Sequence, residues 1–318
     1  MGDIFAIVLP VFVLAGVGYL CAATRFLNRQ AGDGLATFVT SVAIPILLFR
    51  SLSTAEFSSG SPLVLWGVYF ASIITVWIAA MVFTIRIARL GYRAAVISGV
   101  AAGFSNLVLV GIPLIERAFG PQGLAVHFLL LAVHLPVMMS ISSLLMEWAN
   151  RADGADTGAL NAVTVIAHLA HNLAVNPIIV GILAGVAFRF TGLMLPDQVA
   201  QIADTIGRTA GPLALFSLGM GLVKYGIRGN WKPAIVLALL SVIAMPVIVW
   251  LLGTYVIAMP VLWFKVALVA AACPTGVNAY LFASYFKVAE GLSSSAIVFA
   301  TLMTLVTIPF WLSVAIAL

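Results

Sequence analysis

Charge is what this sequence has least of. Only 8% of its 318 residues are charged, against roughly a quarter in a soluble domain, while 63% are hydrophobic and the mean hydropathy is +1.19. A chain this poor in charge cannot cover a folded core with a water-facing surface. A soluble enzyme or binding domain is therefore excluded, and lipid is the solvent along most of the chain. Cysteine is nearly absent too. Cys21 and Cys273 both lie in apolar runs, too few for a disulfide framework, and read as small packing residues. The first apolar run, from Ile4, has no basic leader and no small-residue cleavage site, which predicts a retained helix rather than a signal peptide. The excess of 15 Lys and Arg over 10 Asp and Glu needs no nucleic-acid partner, because basic residues gather at the ends of the apolar runs.

Acid is missing from the interior of those runs. A spanning helix takes about 20 mainly apolar residues, and the runs 4–23, 35–53, 62–85, 95–116, 124–147, 163–188, 205–223, 233–254, 261–286 and 292–317 meet that length. Asp3, Asp33, Glu56, Glu116, Glu147, Asp153, Asp156, Asp197, Asp204 and Glu290 all fall in loops or at run ends. A buried carboxylate relay for protons is thus not expected. Sodium coupling would have to use backbone carbonyls with Asn, Ser or Thr oxygens, and a site without acids suits an anion better than a cation. The longest polar stretch runs only from Glu147 to about Asn161. The expectation is an all-α polytopic membrane protein with ten transmembrane helices. With an outside N-terminus, alternating loops place ten basic residues inside, the densest group being Arg86, Arg89 and Arg93, and leave Arg50, Arg117, Arg189, Arg208 and Lys265 outside. That asymmetry predicts N-out and C-out.

The two halves echo each other. Ala43-Ile-Pro45-Ile-Leu-Leu-Phe49 returns as Ala210-Gly-Pro212-Leu-Ala-Leu-Phe216, and Leu14-Ala-Gly-Val17 as Leu183-Ala-Gly-Val186, with Pro10 and Pro177 upstream of each. Val133-His-Leu-Pro136 answers Val306-Thr-Ile-Pro309, while Pro62 and Pro233 open the third and eighth helices. The reading is a first five-helix repeat over 1–148, a cytoplasmic connecting loop over 149–162 and a second repeat over 163–318. Five is an odd number, so the second copy enters the membrane from the opposite side and the repeat is inverted, the usual architecture of secondary transporters.

Helices 4 and 9 carry the polar and helix-breaking residues: Gly103-Phe-Ser105-Asn106 through Gly111-Ile-Pro113, and Cys273-Pro274-Thr275-Gly276-Val-Asn278. Proline removes a donor and obstructs the preceding turn, and glycine weakens the helix, so both helices are expected to break and cross near mid-membrane. Half-helix N-termini there would face an anion with partial positive charge. Ser105, Asn106, Gly111, Pro113, Pro274, Thr275, Gly276 and Asn278 are the candidate substrate-binding residues. The plainer reading is proline kinks with small residues for packing and Asn or Ser as interhelical glue. Asn176-Pro177 and Pro10 read as framework kinks. His134, central in helix 5, is either a proton-coupling group or a hydrogen-bonded packing residue. His127, His168 and His171 have no metal-ligand spacing. Arg50, Arg208 and Lys265 either snorkel to headgroups or form an electropositive vestibule.

These motifs, with Gly219-Met-Gly-Leu222, Ala283-Ser-Tyr-Phe286 and Thr307-Ile-Pro309, resemble in order and spacing the auxin efflux carrier family, in particular its bacterial malonate-transporter-like members. The resemblance spans nearly the whole chain. It implies a framework of helices 1, 2, 6 and 7, a mobile transport unit of helices 3 to 5 and 8 to 10, a substrate where helices 4 and 9 cross, a homodimer in the bacterial inner membrane and an elevator-type carrier. The plant carriers have an Asn-Pro-Asn type motif at both crossings. Here Ser105-Asn106 precedes its proline by seven residues and Pro274 precedes Asn278, a departure that counts against auxin itself, and the resemblance to the bacterial members implies malonate or another small mono- or dicarboxylate. The alternatives are an exporter of auxin-like aromatic carboxylates and a non-transporting membrane scaffold or sensor. No metal or organic cofactor is expected, and coupling to H+ or Na+ stays open. A channel would show a repeated polar ring. An intramembrane enzyme would need a nucleophile with its base, paired carboxylates or a zinc motif, and none is present in the sequence.

Overall fold

A lipid-embedded chain must satisfy its amides within its own segments, and the computed structural model is helical accordingly. It describes residues 2–55, 60–154, 174–227 and 231–318. The helices are α1 (Gly2–Ala23), α2 (Arg29–Phe38), α3 (Ile44–Thr54), α4 (Pro62–Phe83), α5 (Tyr92–Gly103), α6 (Ile112–Ala152), α7 (Pro177–Phe190), α8 (Asp197–Tyr225), α9 (Trp231–Leu239), α10 (Met245–Tyr255), α11 (Val261–Ala271), α12 (Asn278–Phe286) and α13 (Glu290–Ala317). Among the described residues there is no strand, only an isolated bridge between Ser105 and Thr275. Seven helical stretches there are long and apolar enough to cross a membrane, and Pro177–Phe190 and Val261–Ala271 are shorter apolar helices. The protein is a polytopic membrane protein.

Proline shapes these helices in a way the sequence reading did not anticipate. Pro45, Pro113 and Pro246 are each the second residue of a helix, and a π-turn precedes each: Val39–Ala43, Leu107–Gly111 and Leu240–Ala244. A proline clashes with the carbonyl four residues back. Widening the preceding turn by one residue absorbs that clash, so the Ile44 N–H bonds to the Val39 carbonyl and the Met245 N–H to the Leu240 carbonyl. Helices 2 and 8 therefore continue through their prolines. Pro246 has no N–H for the Val242 carbonyl, and the Trp311 indole nitrogen donates to that oxygen instead, at 3.1 Å.

Helices 4 and 5 were expected as separate runs ending at 116 and starting at 124, and within Ile112–Ala152 two helices meet at a kink at Gly120, with φ 65° and ψ −161°. Glycine adopts that positive φ without a Cβ penalty, and Pro121 restarts the helix at a position that needs no donor. The connecting segment 149–162 is described only as far as 154 and the run 163–188 only from 174. Glu56, Asp156, His168, His171 and Arg228 also lie outside the described residues.

The chain packs as two units, each drawn from both halves of the sequence. The first comprises 1–59, 108–132 and 170–224, and the second 60–107, 133–169 and 225–318. This follows the grouping that the resemblance implied, except that 108–132 belongs with the first. In the first unit, backbones meet through glycine. A methyl on Gly18 would overlap the Phe216 carbonyl and one on Gly219 the Ala15 carbonyl. Gly181 and Gly185, four residues apart on one face of α7, admit the Pro45 and Phe49 carbonyls, which a Cβ would approach to 2.6 and 2.8 Å. Arg50, expected to snorkel or to line a vestibule, instead donates from Nε to Asp204 at 2.9 Å.

In the second unit, Trp77 of α4 occupies the space that a side chain at Gly99 of α5 would fill. Val96, Ile97, Met146, Ala149 and Ala283 form a core joining α5, the end of α6 and α12, with Phe282 and Phe286 packed on it. A polar clasp closes the same place. The N-terminus of α5 has no side-chain cap of its own, and Asp153 accepts from the Tyr92 and Arg93 N–H groups at 3.1 and 2.9 Å. Arg93 Nη2 in turn donates to the Phe286 carbonyl at the C-terminus of α12, at 3.1 Å. Each helix end thus meets the charge that its dipole favours. Lys265 likewise reaches the Ile316 carbonyl near the end of α13, at 3.5 Å.

Candidate functional site: the crossing of two unwound segments

Two helices of the second unit stop within the apolar zone, and their continuations cross. Beyond Gly103, Phe104 turns out of the helix with φ −91° and ψ 85°, and α11 ends at Ala271. The extended segments that follow run antiparallel. Asn106 N–H donates to the Pro274 carbonyl at 2.8 Å, and Gly276 N–H to the Phe104 carbonyl at 2.7 Å. Each segment supplies what the other has lost. Pro274 has no donor but offers its oxygen, and at Gly276 a Cβ would stand 3.0 Å from the Phe104 oxygen and 3.4 Å from that of Ser105, so only glycine admits this approach without a shift. Thr275 Oγ1 donates to the Ala101 carbonyl at 2.8 Å. The Ser105 N–H would have filled that carbonyl had α5 continued, so the threonine hydroxyl acts as its C-cap. Ser105 Oγ donates to the thioether sulfur of Met245 at 3.6 Å.

Ser105, Asn106, Pro274, Thr275 and Gly276 are buried, and Asn278, the first residue of α12, is half-buried. The start of α12 places the positive end of its dipole beside two polar, buried segments, an arrangement able to bind an anion. Gly111 and Pro113 fall in the first unit. There Pro113 lines a cavity of about 240 Å³ with Leu14, Glu116, Arg117, Gly211, Pro212 and Leu215.

A backbone crossing inside an apolar helical protein is a transporter's architecture, and comparison with known proteins agrees. Residues 3–312 match the family described as membrane transport protein. The chain belongs to this family, that of the auxin efflux carriers. It is 25% identical over 317 residues to the "Putative malonate transporter" of Rhizobium meliloti (strain 1021), covering 97% of this chain and 94% of that protein. It is 28% identical over 307 residues to an "Uncharacterized transporter" of Methanothermobacter thermautotrophicus, with 96% of each covered. The "Auxin efflux carrier component 8" of Arabidopsis thaliana is 23% identical over 357 residues, again with 96% of each covered. The protein is thus a multi-pass membrane transporter.

His134 of this family member lies behind the crossing, in the second unit. It is 1% exposed, with its ring centroid 4.8 Å from that of Phe104, 5.7 Å from Tyr69 and 6.4 Å from Phe70. His127 is buried in the first unit. Among the described residues no three of His, Cys, Asp and Glu gather as a metal site. Sequence reasoning missed Tyr69 and Met245. Tyr69 is fully buried on α4, with its ring against that of His134. Tyr69 sits in an ordinary apolar run, where its polar tip was the sole signal, and Met245 was marked only by the proline after it.

Proposed function

We propose that this transporter is an elevator-type secondary carrier of a small organic anion, malonate or another mono- or dicarboxylate, across the bacterial inner membrane. The observation that carries the reading is the bridge between Ser105 and Thr275. It joins two broken helices, with Asn106 next to the bridge on one segment and Asn278 opening α12 three residues beyond it on the other. The carboxylate docks there, held by backbone donors and oriented by the two amides. Gly276 and Pro274 keep the segments close, Ser105 and Thr275 brace them, and Gly111 and Pro113 end the broken stretch of helix 4. Malonate as substrate draws on the Rhizobium relative's description.

Two observations support ten helices in two inverted five-helix repeats. The bridge pairs residues 275 and 105, 170 apart and inside the spacing of the repeated motifs. Phe49 and Phe216, which correspond in those motifs, each present their backbone to a glycine, Gly185 and Gly18. Movement of the second unit, homodimerisation through the first, an N-out and C-out orientation and H+ or Na+ coupling, with His134 as the candidate proton carrier, belong to the same proposal.

The test is uptake of radiolabelled malonate, malate, lactate and indole-3-acetate into proteoliposomes under imposed proton, sodium and voltage gradients. Saturable flux of a small carboxylate, abolished in the Asn106→Ala/Asn278→Ala double variant while the protein stays folded, is the expected outcome. Undiminished flux in that variant removes the site. Absence of flux for every acid, from protein shown to be folded, leaves a scaffold or sensor.

A further inference from the structure

Basic residues that the sequence scatters come together at one end of the second unit. Arg86 and Arg89 follow α4, Arg93 lies in the first turn of α5, Arg151 in the last turn of α6, and Lys287 directly after α12. The polar clasp fixes their neighbourhood. Asp153, two residues from Arg151, accepts from the Arg93 N–H at 2.9 Å, and Arg93 Nη2 donates at 3.1 Å to the carbonyl of Phe286, the residue before Lys287. Acid does not balance this charge. Glu147 is taken by Arg151 at 3.1 Å and Asp153 by two backbone amides. Glu290 is left to face Arg86, Arg89, Arg93 and Lys287, none of which forms an ion pair among the described residues. Arg86, Arg89 and Lys287 are exposed.

Basic residues at helix ends orient a membrane chain, and that role needs no partner. Two features go beyond it. Arg89 and Lys287 both take the left-handed conformation, with φ 53° and 52°, directly after a helical stretch, a position where glycine is the usual residue. Aromatic side chains also flank the group. Tyr92 meets Trp148 edge-on with ring centroids 5.3 Å apart, Tyr285 meets Phe286 at 4.9 Å, and Tyr92, Trp148 and Tyr285 are exposed. Tyrosine and tryptophan gather where the headgroups begin, so these cations stand at the depth of lipid phosphates rather than out in water.

We propose that this end of the second unit is a docking site for the headgroup of an anionic phospholipid, with Arg86, Arg89 and Lys287 drawing in its phosphate beside the clasp that Arg93 makes. α5 and α12 run from this end to the crossing, which they reach at Gly103 and Asn278, so a bound headgroup ties together the far ends of the two half-helices. The inference rests on the chain being embedded in lipid and not on which solute it carries.

The test is hydrogen exchange of the full-length protein in nanodiscs of phosphatidylcholine alone and of phosphatidylcholine mixed with phosphatidylglycerol, with a melting curve for each variant. Slower exchange at the amides of 92–95 and 285–288 is expected with phosphatidylglycerol, and the effect should fade as salt rises. Each cation near an anionic surface changes binding about 5-fold, so the Arg86→Gln/Arg89→Gln/Lys287→Gln variant should bind phosphatidylglycerol about 100-fold more weakly in a native mass-spectrometry titration and lose the protection. Arg86→Lys/Arg89→Lys, which keeps the charge, should retain both, and Arg25→Gln/Arg29→Gln, in the first unit, should leave the protection unchanged. Equal exchange in the two nanodiscs, protection that survives in the triple Gln variant, or protection reproduced by inorganic phosphate in phosphatidylcholine nanodiscs overturns the inference. None of these readouts involves transport, so the outcome is separate from that of the carboxylate reading.

Discussion

Adding one methyl group at Gly276 tests the crossing most directly. Its Cβ would lie 3.0 Å from the Phe104 oxygen and 3.4 Å from the Ser105 oxygen, both backbone atoms that no side-chain rotation can withdraw. Relief to an ordinary contact needs a separation of about 0.4 Å, which stretches the 2.7 Å bond from Gly276 to Phe104 and strains the 2.8 Å bond from Asn106 to Pro274. Overpacking of this kind typically costs about 1–3 kcal/mol, and weakening two buried bonds adds about 1 kcal/mol. Gly276→Ala is thus expected to destabilise the crossing by about 2–4 kcal/mol. If even 2 kcal/mol of that appears in substrate binding, Kd rises roughly 30-fold. The control is Gly16→Ala on α1, where nothing lies within 4 Å of the added methyl and wild-type behaviour is expected. Thermal unfolding in detergent and concentration-dependent uptake into proteoliposomes report the two effects. Wild-type KM and an unchanged melting temperature in Gly276→Ala would refute the close backbone approach on which the site is built.

Three further outcomes follow from the packing. Trp311→Phe removes the donor that fills the Val242 carbonyl left open by Pro246, and should lower stability by about 1–3 kcal/mol in thermal melts; an unchanged melt removes that role. Gly219→Ala drives a methyl into the Ala15 carbonyl and should abolish recovery of monodisperse protein on size exclusion, so a normal elution profile would contradict the packing of α1 on α8. Asp153→Ala uncaps the start of α5 and should cost about 1–2 kcal/mol, read as faster hydrogen exchange at the amides of residues 92–95; unaltered exchange there would show that Asp153 is not the cap.

The breaks at Ser105 and Thr275 were legible because proline, glycine and asparagine stand out against leucine and valine in lipid. Their mutual approach was legible only as an expectation, since sequence reports that a helix must break and not which partner fills the freed groups. That partner can lie far along the chain, as Pro274 does for Asn106. Met245 and Trp311 were invisible for a related reason. Each is an ordinary residue of an apolar run, and its importance comes from one atom placed against a group on another helix. The π-turns before Pro45, Pro113 and Pro246 show the converse. The signal was present as a repeated dipeptide pattern, but it reads equally as a kink, a break or a widened turn, and packing decides among them.

The pairing of Ser105 with Thr275 also sets an order on how the protein is made. Neither segment can complete its hydrogen bonds from its own neighbours, and 170 residues separate them. At a synthesis rate of about 5–20 residues per second, the first segment waits roughly 10–30 s for the second to leave the ribosome. During that interval its open amides and carbonyls need water or the insertion machinery as a substitute, for lipid offers them none. The finished crossing is therefore a late event in biogenesis, and a nascent chain halted before residue 275 should leave a cysteine introduced at position 105 open to aqueous thiol reagents that the complete protein excludes.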